Sequence, residues 1–280
     1  MIIFKQVEPL NTYLQKEKQD RRTVGFVPTM GALHPGHLAL IEASKKENDI
    51  TVCSIFVNPT QFNNPEDFKH YPITIEKDIE QLIKSRCEVL FCPDVNEIYP
   101  SDHKKKHYAL GDIETILEGF YRPGHFQGVC EVVDRLLEIV QPHNLYMGQK
   151  DIQQCMVVKK LLQLMGKEHL IELKIVPTVR ESDGLAMSSR NLRLTREQRK
   201  LSTALYQALS FVKSGLHTTT FNELKRHAKD SLEQKGFQVD YLEIAETATL
   251  KTVDKNKAGL VAIIAATIGN VRLIDNLLLD

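Results

Sequence analysis

"VPTMGALHPGHLAL", residues 27–40, decides the fold. An apolar segment runs into a loop containing Gly31, and two histidines, His34 and His37, follow with Pro35 and Gly36 between them. Just upstream, "TVGFVP" (23–28) is apolar almost throughout, as a strand covered on both faces is. Downstream, "HLALIEASKKEN" (37–48) has apolar residues at three- and four-residue spacing, the pattern of an amphipathic helix. The stretch therefore predicts strand, loop and helix. Loop amides and a helix N-terminus together suit an anion.

The same alternation extends outward. Further strands, likewise near-continuously apolar and expected to be covered on both faces, are "ITVCSIFV" (50–57), "EVLFC" (88–92), "NLYMG" (144–148) and "IELKIVP" (171–177). Helices are expected at 74–85, 128–140 and 151–167. Strands alternating with helices imply an α/β, Rossmann-like parallel sheet with helices on both faces. In such sheets ligands bind beyond the carboxyl ends of the strands. From about residue 180 the pattern changes to two helices (195–215 and 220–236) and three strands (239–246, 258–269 and 271–279), with "GN" as a turn between the last two. This reads as a smaller α+β domain, so the expected domains are 1–179 and 180–280, with the hinge between 177 and 194.

Composition narrows the function classes. Lys plus Arg and Asp plus Glu number 36 each, a balance with no general pull on nucleic acid or an anionic membrane. The longest apolar stretch, "GLVAIIAATIG" (259–269), has about half the length needed to span a bilayer. No basic n-region and long h-region open the chain, so a cytosolic location is the default expectation. The five cysteines are scattered without a C-x-x-C pair and are expected to be reduced core thiols.

Five segments could carry chemistry. The "HPGH" pair could ligate a metal, act as acid and base, or contact a phosphate; a third metal ligand is missing nearby, and the strand-end position favours phosphate. "GQKD" (148–151) ends another strand, with a mobile cation at Lys150 and an acceptor at Asp151 that could equally be a helix cap. "GLAMSSRN" (184–191) offers Ser188, Ser189 and Arg190 as phosphate donors, or is a linker with an N-cap serine. "FVNPTQFNNPEDFKHYP" (56–72) contains Gln61, which both donates and accepts, or is an ordinary Asn/Pro turn. "YRPGHFQGV" (121–129) brings Arg122 and His125 ahead of a helix, where Arg122 could meet an anionic substrate or solvent; "HKKKH" (103–107) could attract polyphosphate or be a solvated loop.

Taken in order, "PTMGALHPGHLAL", "FVNPTQF", "RPGHFQGV", "MGQKDIQQ" and "DGLAMSSRN" make the chain resemble, over essentially its whole length, the pantothenate synthetase (pantoate–β-alanine ligase) family. "HPGH" looks like the HIGH-type signature of the wider nucleotidylyltransferase superfamily, and "MSSRN" like the counterpart of the KMSKS loop of class I aminoacyl-tRNA synthetases. The resemblance implies that pantoate attacks the α-phosphorus of ATP to give pantoyl adenylate and pyrophosphate. β-Alanine then releases AMP and forms pantothenate. It implies that the first domain binds nucleotide and pantoate while the smaller one covers the active site.

The resemblance also assigns residues. Met30, Gly31, Ala32, Leu33, His34, Pro35, Gly36 and His37 would form the ATP loop, with His37, His34 and Lys150 catalytic. Gly148, Gln149, Lys150 and Asp151 would hold the ribose and outer phosphates, Val179 would touch adenine, and Met187, Ser188, Ser189 and Arg190 would fold over the triphosphate. Gln61, Gln154 and Arg122 would bind substrate, and Asp78, with Gln81 one turn on, would lie on the Mg²⁺ side. The implied partners are pantoate, β-alanine and ATP, with neither nucleic acid nor membrane, in a homodimer. Three positions depart from the family pattern. Gln149 stands where Glu is frequent, Lys77 where some members carry a second acid, and Gln127 where another residue often follows "HF". Rival readings are another nucleotidylyltransferase acting on a phosphorylated substrate, a tRNA-binding relative, and a non-catalytic nucleotide sensor.

Overall fold

The computed structural model describes residues 1–279; Asp280, the last residue of the second expected domain, lies outside them. The chain forms two compact units, Met1–Gln149 with Gln154–Pro177, and Lys150–Gln153 with Thr178–Asp280. The short segment 150–153 thus packs with the second unit although it interrupts the first in sequence.

In the first unit six strands, β1 (Ile2–Phe4), β2 (Val24–Thr29), β3 (Ile50–Ile55), β4 (Val89–Phe91), β5 (Asn144–Gly148) and β6 (Glu172–Val176), form a parallel sheet in the order β1-β4-β3-β2-β5-β6. Its helices are α1 (Val7–Gln19), α2 (Pro35–Glu47), α3 (Pro65–Lys69), α4 (Ile75–Lys84), α5 (Val95–Ile98), α6 (Glu118–Tyr121), α7 (His125–Val140) and α8 (Ile152–Leu164). Side chains alternate across a strand, so each strand feeds two cores. Phe26, Val52, Phe91 and Leu145 pack with Leu10 and Leu14 of α1 and with the apolar residues of α7 and α8. Their neighbours Val27, Cys53, Leu90 and Tyr146 pack with Leu40 and Ile41 of α2 and Leu82 of α4. Burial on both faces explains why the central strands read as unbroken apolar runs.

The second unit has α9 (Arg196–Leu201), α10 (Ala204–Gly215) and α11 (Phe221–Glu233) against an antiparallel sheet of β7 (Gln238–Glu246), β8 (Leu260–Ile268) and β9 (Val271–Leu278). Gly269, at φ 56°, and Asn270 make the tight β8–β9 turn.

The structure corrects the sequence reading in four places. The chain opens with β1 and α1, neither of which was expected. β1 has three residues, and α1 is mostly polar and buries only Leu10 and Leu14. β6 is an edge strand with Glu172 and Ile175 exposed, not one covered on both faces. The helix expected at 195–215 is two, broken at Ser202–Thr203. And α7 begins at His125, three residues before the expected start, which places that imidazole in a helix.

Candidate active site

Strand β2 has β3 on one side and β5 on the other. The chain runs outward from β2 through β3 and β4, then returns to β5, so the carboxyl ends of β2 and β5 flank the switch point where open α/β sheets bind ligands. Two candidate turns start there: residues 30–37 leave β2, and Gly148 ends β5. A Cβ on Gly148 would meet no atom within 4 Å, so the space beside that turn is open.

The β2 loop is held from below. Thr29 Oγ1 donates to Ser54 O at 2.7 Å and accepts from Gly31 N at 3.2 Å. Gly31 has φ 82°, and a Cβ there would sit 2.9 Å from Ile55 Cγ2 and 3.0 Å from Asp78 Oδ2, so both the turn and the packing need glycine. Asp78, on the first turn of α4, accepts from Leu33 N at 2.8 Å and from Thr74 Oγ1 at 3.0 Å, and Gln81 Nε2 donates to Leu33 O at 3.3 Å. One turn of α4 therefore grips both backbone groups of Leu33.

Beyond Leu33 the loop becomes α2. His34 is its N-cap and accepts from Gly36 N through Nδ1 at 3.2 Å, with Pro35 at the first helical position. An accepting Nδ1 carries no proton, so the neutral His34 ring has its N–H at Nε2. The His34 and His37 rings lie 3.9 Å apart between centroids, tilted by 31°.

Gln61 is positioned from two directions. It ends a 3₁₀ turn, Pro59–Gln61, capped by Asn58. Asn58 Oδ1 accepts from Tyr99 Oη at 2.9 Å, while Nδ2 donates to Gln61 Oε1 at 3.2 Å and to Gly128 O at 3.1 Å. Burial pushes the Tyr99 phenol up to about 12, so it remains a donor at neutral pH. With its carbonyl oxygen on Asn58, Gln61 turns Nε2 to Met30 Sδ, 3.0 Å away. The Gln61 backbone is fixed by His125, whose Nδ1 is 2.8 Å from Gln61 O and whose Nε2 is 3.0 Å from Arg122 Nη1. A carbonyl only accepts and a guanidinium only donates, so His125 is neutral with its proton on Nδ1. Arg122 also lies 3.6 Å from Glu118. Gln154 is half-buried in the first turn of α8.

Apart from Gln149, the other candidates lie in the second unit. Gln149, Lys150 and Asp151 form a 3₁₀ turn, with Lys150 Nζ 3.6 Å from Asp151 Oδ1. Val179 O accepts from Met187 N at 3.0 Å, closing a small hairpin. Ser188 caps the following 3₁₀ turn, Ser189–Arg193, through Oγ and Arg190 N at 3.3 Å. Ser189 is buried and Arg190 half-buried.

Asp78, expected on the Mg²⁺ side, holds the β2 loop. It is 1% exposed, its Oδ1 is committed to the loop, and its Oδ2 lies against Gly31. Among the described residues, no group of three or more His, Cys, Asp or Glu side chains could hold a metal. Burial at the α4 N-terminus makes this carboxylate a loop anchor, a role that its place in the sequence does not reveal. Several positioning residues escaped the sequence reading. Asn58 had a local signal, since Asn-Pro initiates turns. Arg180 and Asp275, which form an ion pair, had none, being 95 positions apart.

Comparison with known proteins agrees with this architecture. The family model for pantoate-beta-alanine ligase matches residues 2–278. The chain is 43% identical to the pantothenate synthetase of Cytophaga hutchinsonii, over 100% of this chain and 99% of that one. Its fold matches a crystal structure of pantothenate synthetase from Thermus thermophilus with a TM-score of 0.93 and 41% identity, covering 100% of this chain and 99% of that one. It also matches a pantoate-beta-alanine ligase from Francisella tularensis in complex with beta-gamma ATP and beta-alanine, with a TM-score of 0.84 and 36% identity over 99% and 97% of the two chains. No helix among the described residues is long and apolar enough to cross a membrane. Matched from its first strand to its last, the chain belongs to the pantoate-beta-alanine ligase family.

Proposed function

We propose that the chain condenses pantoate with β-alanine through a pantoyl adenylate. In the first step a pantoate carboxylate oxygen attacks the α-phosphorus of ATP, and the bond to the bridging oxygen breaks with release of pyrophosphate. In the second step the β-alanine amine attacks the acyl carbon, the bond from that carbon to the phosphate-bound oxygen breaks, AMP leaves and the amine loses a proton. Neither step needs a covalent link to the protein.

The observation that carries this reading is the pair of imidazoles at the end of β2, 3.9 Å apart, in a chain of this family. His37, supported by His34, offers an N–H to charge building on the α-phosphate; such a donor acts in the transition state without itself transferring a proton. Lys150, Ser188, Ser189 and Arg190 supply charge-assisted donors for the outer phosphates. Gly148, Gln149 and Asp151 serve the ribose, and Val179 and Met187 the base and triphosphate. Gln61 serves pantoate. Its amide N–H group rests on a thioether, a weak acceptor that a carboxylate or hydroxyl readily replaces. Gln154 and Arg122 complete the acid-binding group. Mg²⁺ enters with ATP, held by phosphate oxygens and water rather than a protein cage, as that ion commonly is. The reading is completed by a homodimer acting in the cytoplasm.

The test is exchange of labelled pyrophosphate into ATP, with Mg²⁺ and pantoate present and β-alanine absent. Exchange that requires pantoate is expected. A folded protein giving none rejects the adenylate route.

A further inference from the structure

Strand β9 contains a polar pair where the fold calls for apolar residues. In "VRLIDNLLL", Asp275 shares strand parity with Val271 and Leu273, which face the core of the second unit. Yet Asp275 is 2% exposed and its neighbour Asn276 1% exposed, so burial does not alternate there. A local rule broken in this way marks a site with another demand on it.

The demand is visible in the partners. Arg180 grips Asp275 with two parallel bonds, Nη1 to Oδ2 at 2.7 Å and Nη2 to Oδ1 at 2.9 Å. The same guanidinium donates to Gly184 O at 3.0 Å and Asn276 O at 3.0 Å, and its carbon lies 4.3 Å from the centre of the Tyr206 ring. Gly184, at φ 94°, packs on that ring too; a Cβ there would sit 2.2 Å from Tyr206 Cδ1. Arg180 and Ala186 pair across the hairpin, Glu181 N donates to Leu185 O at 2.8 Å, and Asn191 Nδ2 donates to Ala186 O at 3.1 Å. The Ser188–Arg190 turn therefore springs from a hairpin fastened to β9. On the other side, Asn276 Nδ2 donates to Lys150 O at 2.9 Å, and Asn276 N donates to Asp275 Oδ1 at 2.8 Å.

We infer that Arg180, Asp275 and Asn276 are positioning residues that hold two phosphate-binding elements, Lys150 and the Ser188–Arg190 turn, at a fixed spacing on strand β9. The inference rests on the phosphate roles proposed above for those elements. Stability alone does not explain the network. A buried ion pair loses much of its attraction to desolvation, and apolar residues of similar volume are often at least as stable. Burial pushes the Asp275 carboxyl up, and Arg180 offsets this only in part. What the pair provides that apolar side chains cannot is direction. Each nitrogen of the fork has one carboxylate oxygen and one backbone carbonyl, and the same carboxylate orients the residue that holds Lys150.

The experiment uses the full chain with two variants, the double Arg180→Met with Asp275→Leu, and Asn276→Ser. Melting temperature, pantoate-dependent pyrophosphate exchange and binding of a non-hydrolysable ATP analogue are measured for each. The double variant is expected to melt at or above wild type, while its KM for ATP rises about tenfold or more, as for a lost hydrogen bond of that worth. Asn276→Ser is expected to raise the KM for ATP in the same direction, and in both the KM for pantoate stays within about twofold. A purely structural network predicts the reverse, with activity following melting temperature and no preference between substrates. Should the double variant fail to fold, Asn276→Ser alone decides. Active wild type with wild-type ATP kinetics in the folded variants overturns this inference only. Wild type that neither exchanges pyrophosphate nor binds the analogue overturns the phosphate roles, and the inference with them.

Discussion

Replacing Asp78 by alanine removes the one carboxylate oxygen that anchors Leu33 of the β2 loop. Leu33 N–H loses a charged acceptor at 2.8 Å inside the protein, and Thr74 loses one at 3.0 Å. The first loss is worth about 1.5–3 kcal/mol, because the acceptor is charged and the donor is left buried; the second is worth about 0.5–1.5 kcal/mol, because the half-buried Thr74 hydroxyl can turn to water. Their sum, about 2–4.5 kcal/mol, is a large fraction of a domain's stability. Asp78→Asn keeps a neutral acceptor at the same place and should cost about half as much. Urea unfolding gives the stabilities, and amide exchange of a peptide covering 30–37 reports the loop. The expected order is alanine least stable, asparagine intermediate, wild type most, with exchange at Leu33 accelerating in the same order. The magnesium concentration for half-maximal activity should not move in Asp78→Asn. An alanine variant within about 0.5 kcal/mol of wild type refutes the anchoring argument. A large rise in the magnesium requirement with unchanged loop protection returns Asp78 to the metal.

Three further outcomes follow from the geometry. His37→Ala should raise the barrier to adenylate formation by about 2–4 kcal/mol with little change in melting temperature, and unchanged turnover in single-turnover kinetics removes His37 from the mechanism. Gly128→Ala places a Cβ 2.2 Å from Thr60 O and 2.7 Å from Gln61 Cα, both backbone atoms. It should cost about 1–3 kcal/mol and weaken pantoate saturation, so a variant with native melting and native KM contradicts the packing of α7 on the Gln61 turn. Burial pushes the Cys87 and Cys130 thiols from 9.0 up to about 12. The folded state holds those protons more tightly than the unfolded one, so their contribution is complete below pH 9.0 and is lost as pH rises toward about 12. Urea midpoints that stay level across that alkaline window contradict it.

The unit from 23 to 40 is legible in sequence because three periodicities meet there: a two-sided buried strand, a glycine turn and an amphipathic helix. The switch point is legible for the same reason, since β2, β3 and β5 are all central and apolar. Legibility fails where burial is supplied by distant partners. α1 shows too few apolar positions to announce itself, because it covers the sheet with only Leu10 and Leu14 fully buried. Asp78 gives no sign in the sequence of its hold on the backbone of Leu33, 45 positions away. His125 is visible as a residue, but its fixed tautomer comes from Gln61 on one side and Arg122 on the other. Asp275 in "LIDNLL" looks like an ordinary break in a strand until Arg180 arrives from 95 positions away.

The central claim, that an acyl adenylate links the two half-reactions, is tested most directly by the fate of the pantoate carboxylate oxygens. Pantoate labelled with heavy oxygen in its carboxylate is turned over with ATP and β-alanine, and the products are weighed by mass spectrometry. The account predicts one labelled oxygen in AMP for each pantothenate formed and none in pyrophosphate. Unlabelled AMP, or ADP and phosphate as the nucleotide products, contradicts it.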